Sequence, residues 1–431
     1  MQDSGHTSAN TIANTSENTV NTLAVIGLGY IGLPTAAMFA STGLETIGVD
    51  INPRAVDAIN NGKAHIEEGN LEELVEHCVQ AGHLRAVLEP VAADAFIIAV
   101  PTPVGHDVSH APDVSYVEAA ALSIVPVLRA GNLIILESTS PVGTTGFLSD
   151  LLARARPDLR FPQDAGGEAD VCIAYCPERI IPGRMLKELV ANDRIIGGMT
   201  PRCAERAMEL YKRFVRGVCH VTNDRTAEMV KLTENSFRDV NIAFANELSM
   251  VCDELGIDVW KVIEFANRHP RVSILRPGAG VGGHCIAVDP WFIVSSAPAR
   301  SRMIRTAREV NDTKPQFVID KVHAALRNRP GLKVACLGLT YKPDVDDFRE
   351  SPSLEIATIL SKAYPGRVVC CDPFADALPE AQRRTRDIIF AETGQALQEA
   401  DVIVVLVTHA AFRGFPKPLG KSVVDPVGFW L

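Results

Sequence analysis

Residues 23–32 read LAVIGLGYIG, four apolar residues that lead into three glycines with the spacing G-x-G-x-x-G. The apolar run predicts a buried strand, and the glycines predict a tight turn that opens a helix. Asp50 ends the next apolar run, and such an acid accepts hydrogen bonds from adenosine ribose hydroxyls and repels a 2′-phosphate. We therefore predict that Gly27, Gly29, Gly32 and Asp50 bind NAD in preference to NADP, with a turn used for packing as the alternative.

The same alternation of apolar runs and helical stretches continues along the chain. Further apolar runs begin at Thr46, Ala95, Leu133 and Val171. This rhythm is typical of a doubly wound parallel sheet, so we predict an α/β, Rossmann-like domain over residues 21–220.

A second series of apolar runs follows the Lys314–Pro315 pair, beginning at Lys333, Val368 and Val402. It repeats the first series, with one strand that enters a glycine turn and another that ends in an acid. We predict a second Rossmann-like domain over residues 315–431. Its first turn, GLTYKP at 338–343, lacks the G-x-G-x-x-G spacing, so we expect a nucleotide-containing substrate there and not a second NAD.

One long helix is predicted between these domains. Residues 225–255 contain neither proline nor glycine, and Gly256 follows them. We predict that this helix connects the two Rossmann-like domains within a central helical domain over residues 221–314. Its larger apolar residues recur every three or four positions, so we expect them to be buried against other helices or a second subunit. They are Val230, Phe237, Val240, Phe244, Leu248, Val251 and Leu255.

Composition excludes several classes of protein. The formal net charge is −10, which provides no general basic surface for nucleic acid. The ten cysteines lack the paired spacing of zinc sites, so we expect no metal and reduced thiols in a cytoplasmic protein. Residues 1–20 are rich in Asn, Thr and Ser and have no apolar core, which predicts a disordered tail and not a signal peptide. We also predict no membrane span.

A cysteine stands within a glycine-rich segment, RPGAGVGGHCIAVDP at 276–290. A thiolate that adds to a carbonyl allows a second oxidation and leaves a thioester that water can cleave. Cys285 is thus the candidate nucleophile, and the suitable proton-transfer or orienting groups are Lys231, Asn235, Glu178 and Asp289. The alternative is a small buried apolar cysteine.

Other polar groups are expected near the same chemistry. Thr102 and Thr139 follow predicted strands, at the sheet edge where ligands of such folds bind. Lys231, Asn235 and Arg238 share one face of the predicted helix and suit an anionic or hydroxylated ligand. Loop structure and a solvated stripe are the respective alternatives.

The chain resembles, over residues 22–431, the UDP-glucose/GDP-mannose dehydrogenase family of nucleotide-sugar 6-dehydrogenases. The resemblance rests on many motifs in the same order. They include VIGLGYIGLPTAAMFA at 25–40, ESTSPVGTT at 137–145, YCPERIIPGR at 175–184, RTAEMVKLTENSFRDVNIAFANELS at 225–249, NRHPRVSILRPGAGVGGHCIAVDPWF at 267–292, RTAREVND at 305–312 and YKPDVDDFRESP at 341–352.

The resemblance implies roles for individual residues. It implies that Cys285 forms a thiohemiacetal and then a thioester, that Lys231 moves protons, and that Thr139, Glu178, Asn235 and Asp289 orient water or the oxyanion. For NAD it implies Tyr30, Ile31, Asp50, Thr102, Thr139 and Arg349. For the sugar nucleotide it implies Arg179, Ile180, Lys231, Asn235, Arg238, His269, Arg271, Gly282, Tyr341 and Lys342. In relatives an arginine equivalent to Arg271 enters the neighbouring subunit's site, which implies a homodimer.

The activity implied is a four-electron oxidation, at C6, of UDP-N-acetyl-D-mannosamine, in the biosynthesis of a surface polysaccharide. UDP-N-acetylglucosamine and UDP-glucose are alternative substrates because few contacts distinguish C2 epimers. An NAD-binding regulator without turnover and a two-electron hydroxyacid dehydrogenase are more distant alternatives. One departure from the family is Val427, which stands where relatives have a basic substrate contact.

Overall fold

The computed structural model describes residues 19–431 except 67, 106–109, 181, 182, 284, 328 and 330. The predicted N-terminal tail therefore lies almost wholly outside the described residues. The chain divides into two compact units, one up to Lys231 and one from Leu232 onward. Within the described residues, no helix combines the length and the apolar character needed to cross a bilayer.

The first unit is built on an eight-stranded sheet with the order β3-β2-β1-β4-β5-β6-β7-β8. Its strands are β1 (Thr22–Ile26), β2 (Glu45–Val49), β3 (Leu84–Val87), β4 (Ala95–Ile98), β5 (Leu133–Leu136), β6 (Cys172–Tyr175), β7 (Arg194–Gly198) and β8 (Cys219–Asn223). Neighbours are parallel except for β6 and β7. The predicted doubly wound α/β sheet is thus confirmed, and the strand order reverses between β1 and β4, where such sheets bind ligands.

Helices cover both faces of this sheet, and apolar clusters fill both layers. The helices are α1 (Gly32–Ala40), α2 (Pro53–Asn60), α3 (Leu71–Gln80), α4 (Ser115–Ile124), α5 (Thr144–Ala155), α6 (Pro162–Ala165), α7 (Met185–Ala191) and α8 (Pro201–Tyr211). The apolar runs did not predict β3, β7 and β8, whose sequences LRAV, RIIGG and CHVTN are short or interrupted by polar residues or glycine. Their pairing at the sheet's two ends depends on tertiary contacts more than on strand propensity.

The second unit begins within α9 (Asp224–Glu254), the predicted long helix. It continues with α10 (Val259–Ala266), α11 (Asp289–Ser296), α12 (Arg302–Leu326), α13 (Pro352–Ala363), α14 (Glu380–Thr385) and α15 (Thr393–Glu399). Strands β9 (Val334–Leu337), β10 (Val368–Cys371), β11 (Val402–Val405) and β12 (Ser422–Val424) form an all-parallel sheet with the order β10-β9-β11-β12. The predicted second Rossmann-like sheet is confirmed.

Four of the seven apolar residues predicted to form a buried stripe along α9 are exposed. Phe237, Phe244 and Leu255 are 71%, 55% and 65% exposed. The fully buried positions of α9 include Leu232, which was not assigned to this stripe, and Asn246. Burial of the apolar stripe against other helices of the same chain was therefore the wrong expectation, and burial against a second subunit remains a prediction.

Helix α12 runs through Pro315, at the predicted boundary between the central and last domains. Proline removes one hydrogen bond from a helix interior and normally kinks or ends it. Here Pro315 is buried and its ring lies against Gly280, where an added Cβ would stand 3.1 Å from Pro315 Cγ. The helix continues past Pro315, and the proline ring packs on the glycine-rich segment.

The two sheets repeat the same set of hydrogen bonds at equivalent positions. Gly27 N–H donates to the Val49 carbonyl at 2.8 Å, as Gly338 N–H does to Cys371 at 2.8 Å. Leu28 N–H donates to Asp50 at 2.9 Å, and Leu339 N–H donates to Asp372 at 2.7 Å. A third matched pair joins Thr22 N–H to Asp94 and Lys333 N–H to Asp401, each at 3.0 Å.

Candidate active site

The glycine turn after β1 has the geometry that a dinucleotide phosphate requires. Gly27 has φ of +91°, and a Cβ on Gly32 would lie 1.8 Å from the Gly27 carbonyl oxygen. A Cβ on Gly29 would meet nothing within 4 Å among the described residues. Ile31 precedes α1 without capping it through its side chain. The first N–H groups of α1 are therefore suited to a pyrophosphate.

Asp50 joins this turn to the end of β2. Its Oδ2 accepts the Leu28 N–H at 2.9 Å, and its Oδ1 accepts the Asn52 N–H at 2.8 Å. Each carboxylate oxygen retains capacity for a further donor. The next residue, Ile51, is 90% exposed, which leaves the approach to Asp50 open. The arrangement fits a ribose diol beside a carboxylate.

Replacement of Asp50 by serine should weaken the binding of NAD and reduce the preference for NAD over NADP. A lost hydrogen bond to a charged group corresponds to about a ten- to hundredfold change in binding, so the KM for NAD should rise by about that factor. NADP should be affected less, because the repulsion of its phosphate is removed. Initial rates with both cofactors test this, and Asp57→Asn, at an exposed position on α2, is the control. An unchanged KM for NAD would place the ribose elsewhere.

Hydroxyl groups that follow β4 and β5, among them the predicted Thr102, donate to backbone carbonyls of the neighbouring loop. Thr102 Oγ1 donates to the Thr139 carbonyl at 2.5 Å, and Ser138 Oγ donates to the Val100 carbonyl at 2.7 Å. Glu228, which sequence reasoning missed, accepts N–H groups from Gly143 at 2.6 Å and from Thr145 at 2.8 Å. This buried carboxylate occupies the N-terminus of α5 and holds the loop that presents Thr139. Burial raises its pKa.

Glu178 belongs to a buried cluster of ionic groups. Its Oε1 accepts the Arg179 N–H at 2.7 Å, and its Oε2 pairs with the Arg194 guanidinium. Arg194 also pairs with Glu137 at 3.3 Å and lies 4.2 Å from the centre of the Tyr211 ring. The guanidinium is therefore shared by two carboxylates, and it links the end of β5 to the loop after β6. Neither Arg194 nor Glu137 was among the predicted site residues.

Glu137 is almost completely buried, and burial raises the pKa of its carboxyl to about 7, with Arg194 acting in the opposite direction. A carboxyl whose folded pKa is raised holds protons longer in the folded than in the unfolded state. Its contribution to stability is therefore present at low pH and is lost as the pH rises from about 4.3 to about 7.

The substitution Glu137→Gln should remove this pH dependence. Thr35 Oγ1 and Tyr211 OH contact different oxygens of Glu137, at 3.1 and 2.9 Å, and a neutral amide can replace both contacts. The difference in melting temperature, variant minus wild type, should increase as the pH is raised from 5 to 7.5, because only the wild type loses stability over this range. Tyr211→Phe, which keeps the carboxylate, is the control. If the variant instead became less stable relative to the wild type as the pH rises, Arg194 would be holding Glu137 ionised in the folded protein.

Cys285 is exposed and lies one turn before α11. Its carbonyl accepts N–H groups from Val288 at 3.1 Å and from Asp289 at 2.8 Å. Asp289 is 2% exposed and accepts a 2.5 Å hydrogen bond from the Asn235 side-chain amide. Three predicted residues of the second unit are therefore joined. Asn235 holds the side chain of Asp289, and the backbone N–H of Asp289 holds the carbonyl of Cys285.

The glycine-rich segment before Cys285 is held at two places. Gly278 N–H donates to the Asn246 side chain at 2.9 Å, and Asn246 is fully buried. Gly283 has φ of +85°, and a Cβ there would lie 3.0 Å from the Tyr341 ring. A larger residue would displace the tyrosine from the turn. The predicted sites Gly282 and Tyr341 are thus neighbours, since a Cβ on Gly282 would lie 3.2 Å from Tyr341 Cβ.

Lys231, the predicted proton carrier, is on the same helix as Asn235 and Arg238. Its side chain is largely buried, with 8% exposure, whereas Arg238 is exposed. Over the described part of the chain, Lys231 has no ion-pair partner at or below 4.0 Å. A partly desolvated amine without a fixed acidic partner is suited to proton transfer.

The remaining predicted ligand residues are distributed over both units. Arg179 donates to the Asp193 carbonyl in the first unit, and Ile180 is half-buried beside it. In the second unit His269 and Arg271 are exposed, and the Arg271 N–H donates to His269 Nδ1 at 3.3 Å. Arg349 pairs with Asp347, Lys342 Nζ lies 5.6 Å from the centre of the Tyr341 ring, and Val427 packs on an apolar cluster.

Three family models match consecutive parts of the chain. They are the NAD binding domain, the central domain and the UDP binding domain of the UDP-glucose/GDP-mannose dehydrogenase family, over residues 21–215, 225–313 and 335–428. The matched ranges follow one another in the family's order and together span most of the chain.

Individual proteins are similar over nearly their whole lengths. A Yersinia pestis protein named UDP-N-acetyl-D-mannosamine dehydrogenase is 55% identical over 95% of this chain and 99% of its own. A Ralstonia nicotianae protein named NDP-N-acetyl-D-galactosaminuronic acid dehydrogenase is 56% identical over 95% and 96%. The solved UDP-D-ManNAc dehydrogenase structure from Pyrococcus horikoshii has 36% identity and a TM-score of 0.84, and the match covers 95% of this chain and 100% of that one.

Proposed function

Because this chain belongs to the UDP-glucose/GDP-mannose dehydrogenase family, and is an NAD-dependent dehydrogenase, we propose that it oxidises UDP-N-acetyl-D-mannosamine to UDP-N-acetyl-D-mannosaminuronate. The overall change is one sugar alcohol, two NAD⁺ and one water to one carboxylate, two NADH and three protons. The observation that carries the proposal is the 55% identity, over 95% of the chain, to a relative named for that substrate.

The proposed chemistry begins with Lys231 and Cys285. When bound, NAD⁺ is the acceptor for the electron pair that each of the two oxidations removes from C6. Lys231 takes the C6 hydroxyl proton in the first oxidation. The Cys285 thiolate then forms a C–S bond to the aldehyde, and Lys231 returns the proton to the resulting oxyanion, which gives a thiohemiacetal.

The second half of the reaction releases the thiol. Lys231 again takes the hydroxyl proton as the thiohemiacetal is oxidised to a thioester. Water adds to the thioester carbonyl, and the C–S bond breaks to give the carboxylate and the Cys285 thiolate. We assign Asn235 to the oxyanion, Asp289 to the orientation of Asn235, and Thr139 and Glu178 to the orientation of water. The 2.5 Å hydrogen bond between Asn235 and Asp289 supports the second of these roles.

The ligand contacts are part of the same proposal. For NAD we assign Gly27, Gly29, Tyr30, Ile31, Gly32, Asp50, Thr102, Thr139 and Arg349. For the UDP-sugar we assign Arg179, Ile180, Lys231, Asn235, Arg238, His269, Arg271, Gly282, Tyr341 and Lys342. Arginine and lysine side chains suit the pyrophosphate, because each donates several hydrogen bonds from a fixed positive charge. We divide the chain into domains at residues 21–220, 221–314 and 315–431, and we place it in the cytoplasm, where ten thiols are expected to stay reduced.

The stoichiometry of NADH tests the proposed reaction. Two NADH per UDP-N-acetyl-D-mannosamine consumed are expected, with the uronate as product by mass spectrometry. One NADH per sugar would indicate a two-electron alcohol oxidation, and NAD binding without NADH from any sugar would indicate a regulator. UDP-N-acetylgalactosamine belongs in the panel because a relative with 56% identity is named for a galactosaminuronic acid. UDP-N-acetylglucosamine and UDP-glucose complete it.

We propose that the enzyme is a homodimer that buries the exposed apolar stripe of α9. Phe237, Phe244 and Val251 are spaced by seven residues on one helix face and are 71%, 55% and 47% exposed. Such a stripe is typical of a helix that packs on a partner, and a second copy would bury it symmetrically. The predicted entry of Arg271 into the neighbouring site belongs to this proposal.

Mixing two inactive variants tests the shared site. Cys285→Ser and Arg271→Ala homodimers should each have little activity. A mixture that has exchanged subunits contains heterodimers with one site that keeps both residues, so it should recover up to about a quarter of wild-type activity if exchange is random. Mass measurement in solution identifies the dimer, with Phe237→Asp expected to give monomers. Activity that stays at the sum of the two variants would place Arg271 in its own subunit's site.

A further inference from the structure

The second Rossmann-like sheet has a buried histidine at a position equivalent to a predicted NAD-binding residue of the first. Thr102 lies four residues beyond the end of β4, and His409 lies four residues beyond the end of β11. The equivalence is supported by the acids that precede both strands, Asp94 and Asp401, which accept matched hydrogen bonds. His409 is fully buried.

His409 contacts both ends of the turn that holds Tyr341 and Lys342. Its Nδ1 accepts the Asp344 N–H at 3.0 Å. Because a backbone N–H can only donate, the ring proton is on Nε2, which is 3.1 Å from Thr340 Oγ1 and 3.4 Å from Asp372 Oδ2. Thr340 Oγ1 in turn donates to the Lys342 carbonyl at 2.9 Å.

The carboxylate that would hold a ribose is also occupied. Asp372 Oδ2 accepts N–H groups from Leu339 at 2.7 Å and from Thr340 at 3.3 Å, and His409 is nearby. Its Oδ1 accepts the Phe374 N–H at 2.8 Å. The equivalent Asp50 accepts one backbone N–H from the described residues on each oxygen. The second sheet thus uses its acid to hold its own turn, where the first sheet leaves capacity for a ligand.

We infer that His409 is a positioning residue that shapes the Thr340–Asp344 turn for the nucleotide part of the substrate, in the place where the first domain binds its dinucleotide. The inference rests on the proposed UDP-sugar function, since it assumes that Tyr341 and Lys342 contact the substrate. Tyr341 also lies against Gly283, so the turn and the glycine-rich segment should shift together. The ring centres of Phe374 and Phe412 lie 5.7 and 5.5 Å from the centre of the His409 imidazole, and these contacts hold the imidazole in place.

Direct binding of UDP, by calorimetry on the full-length protein, separates positioning from catalysis. His409→Ala should weaken UDP by about tenfold, the effect of one ordinary buried hydrogen bond, and should leave the Kd for NAD unchanged. His409→Asn should recover part of the loss, because its side-chain oxygen can accept the Asp344 N–H as Nδ1 does. The KM for the sugar nucleotide should follow the UDP Kd, while kcat changes less.

Phe412→Leu is the matched control, because it loosens the packing of the same imidazole ring without removing a polar contact. It should lower the melting temperature and leave the Kd for UDP within about twofold of the wild type. If His409→Ala does not fold, Asn against Gln at this position makes the same comparison, with Asn expected to bind UDP more tightly.

The outcomes distinguish the inference from the function on which it rests. Failure of the wild-type protein to bind UDP, or unchanged UDP binding by Lys342→Ala, would overturn the assignment of this turn to the substrate and the inference with it. UDP binding that is weakened by Lys342→Ala but not by His409→Ala would overturn the inference alone. So would an Asn variant no better than Ala or Gln.

Discussion

Cys285→Ser should stop the enzyme before the uronate, with a loss of at least about a thousandfold in the rate of complete turnover. A serine hydroxyl is a far weaker nucleophile than a thiolate near neutral pH, so the thiohemiacetal should not form. The exposed position of Cys285, one turn before α11, is consistent with a thiol that a substrate can reach. NADH release and uronate formation, measured on the same samples, test the prediction.

The other cysteines provide the control for this variant. Cys219 is half-buried on β8, and burial raises the pKa of its thiol, which makes it less reactive at neutral pH. Cys219→Ser should therefore keep the wild-type ratio of two NADH per sugar. Iodoacetamide should inactivate the wild type by alkylating Cys285. The residual activity of Cys285→Ser should be insensitive to the reagent. Full turnover by Cys285→Ser would rule out a covalent thioester.

Much of the fold follows from sequence because the decisive features are local. The G-x-G-x-x-G turn and the glycine-free stretch of α9 each act within one element, and the structure has both where they were predicted. The apolar stripe of α9 shows what the sequence left open, since burial against other helices and burial against a second subunit were both expected. Periodicity shows that a face is apolar, but it does not say whether the covering surface is in the same chain.

The supporting residues of the candidate site could not be read from the sequence. Glu137, Glu228 and His409 each contact a group distant in the chain, at separations of 57, 83 and 69 residues for Arg194, Thr145 and Thr340. A buried glutamate on a helix has no local signature that separates it from a surface one. The candidate catalytic residues were recognised through motif resemblance, whereas the residues that hold them depend on the tertiary structure.

Lys231→Met should lower kcat by about a hundred- to ten-thousandfold, the range for the loss of a general acid–base group. Methionine fills a similar volume, so the buried stem of the side chain is replaced and only the amine is lost. Lys231 is 8% exposed. Because methionine fills the same space and no ion pair within the described residues is lost, the substitution should leave the melting temperature nearly unchanged. Steady-state and single-turnover rates measure the effect, and Lys212→Met, at an exposed position, is the control.

The two oxidations give this variant a diagnostic pattern. If Lys231 moves the proton in both, the first NADH and the second should slow together, and no aldehyde or thioester should accumulate. If it acts only on the thioester, a rapid burst of two NADH per site should precede slow turnover, with the acyl group retained on Cys285. Arginine at this position keeps the positive charge but cannot give up a proton in a protein. Lys231→Arg should thus bind the sugar nucleotide and remain as slow as Lys231→Met, whereas recovery of kcat by arginine would assign Lys231 to charge stabilisation alone.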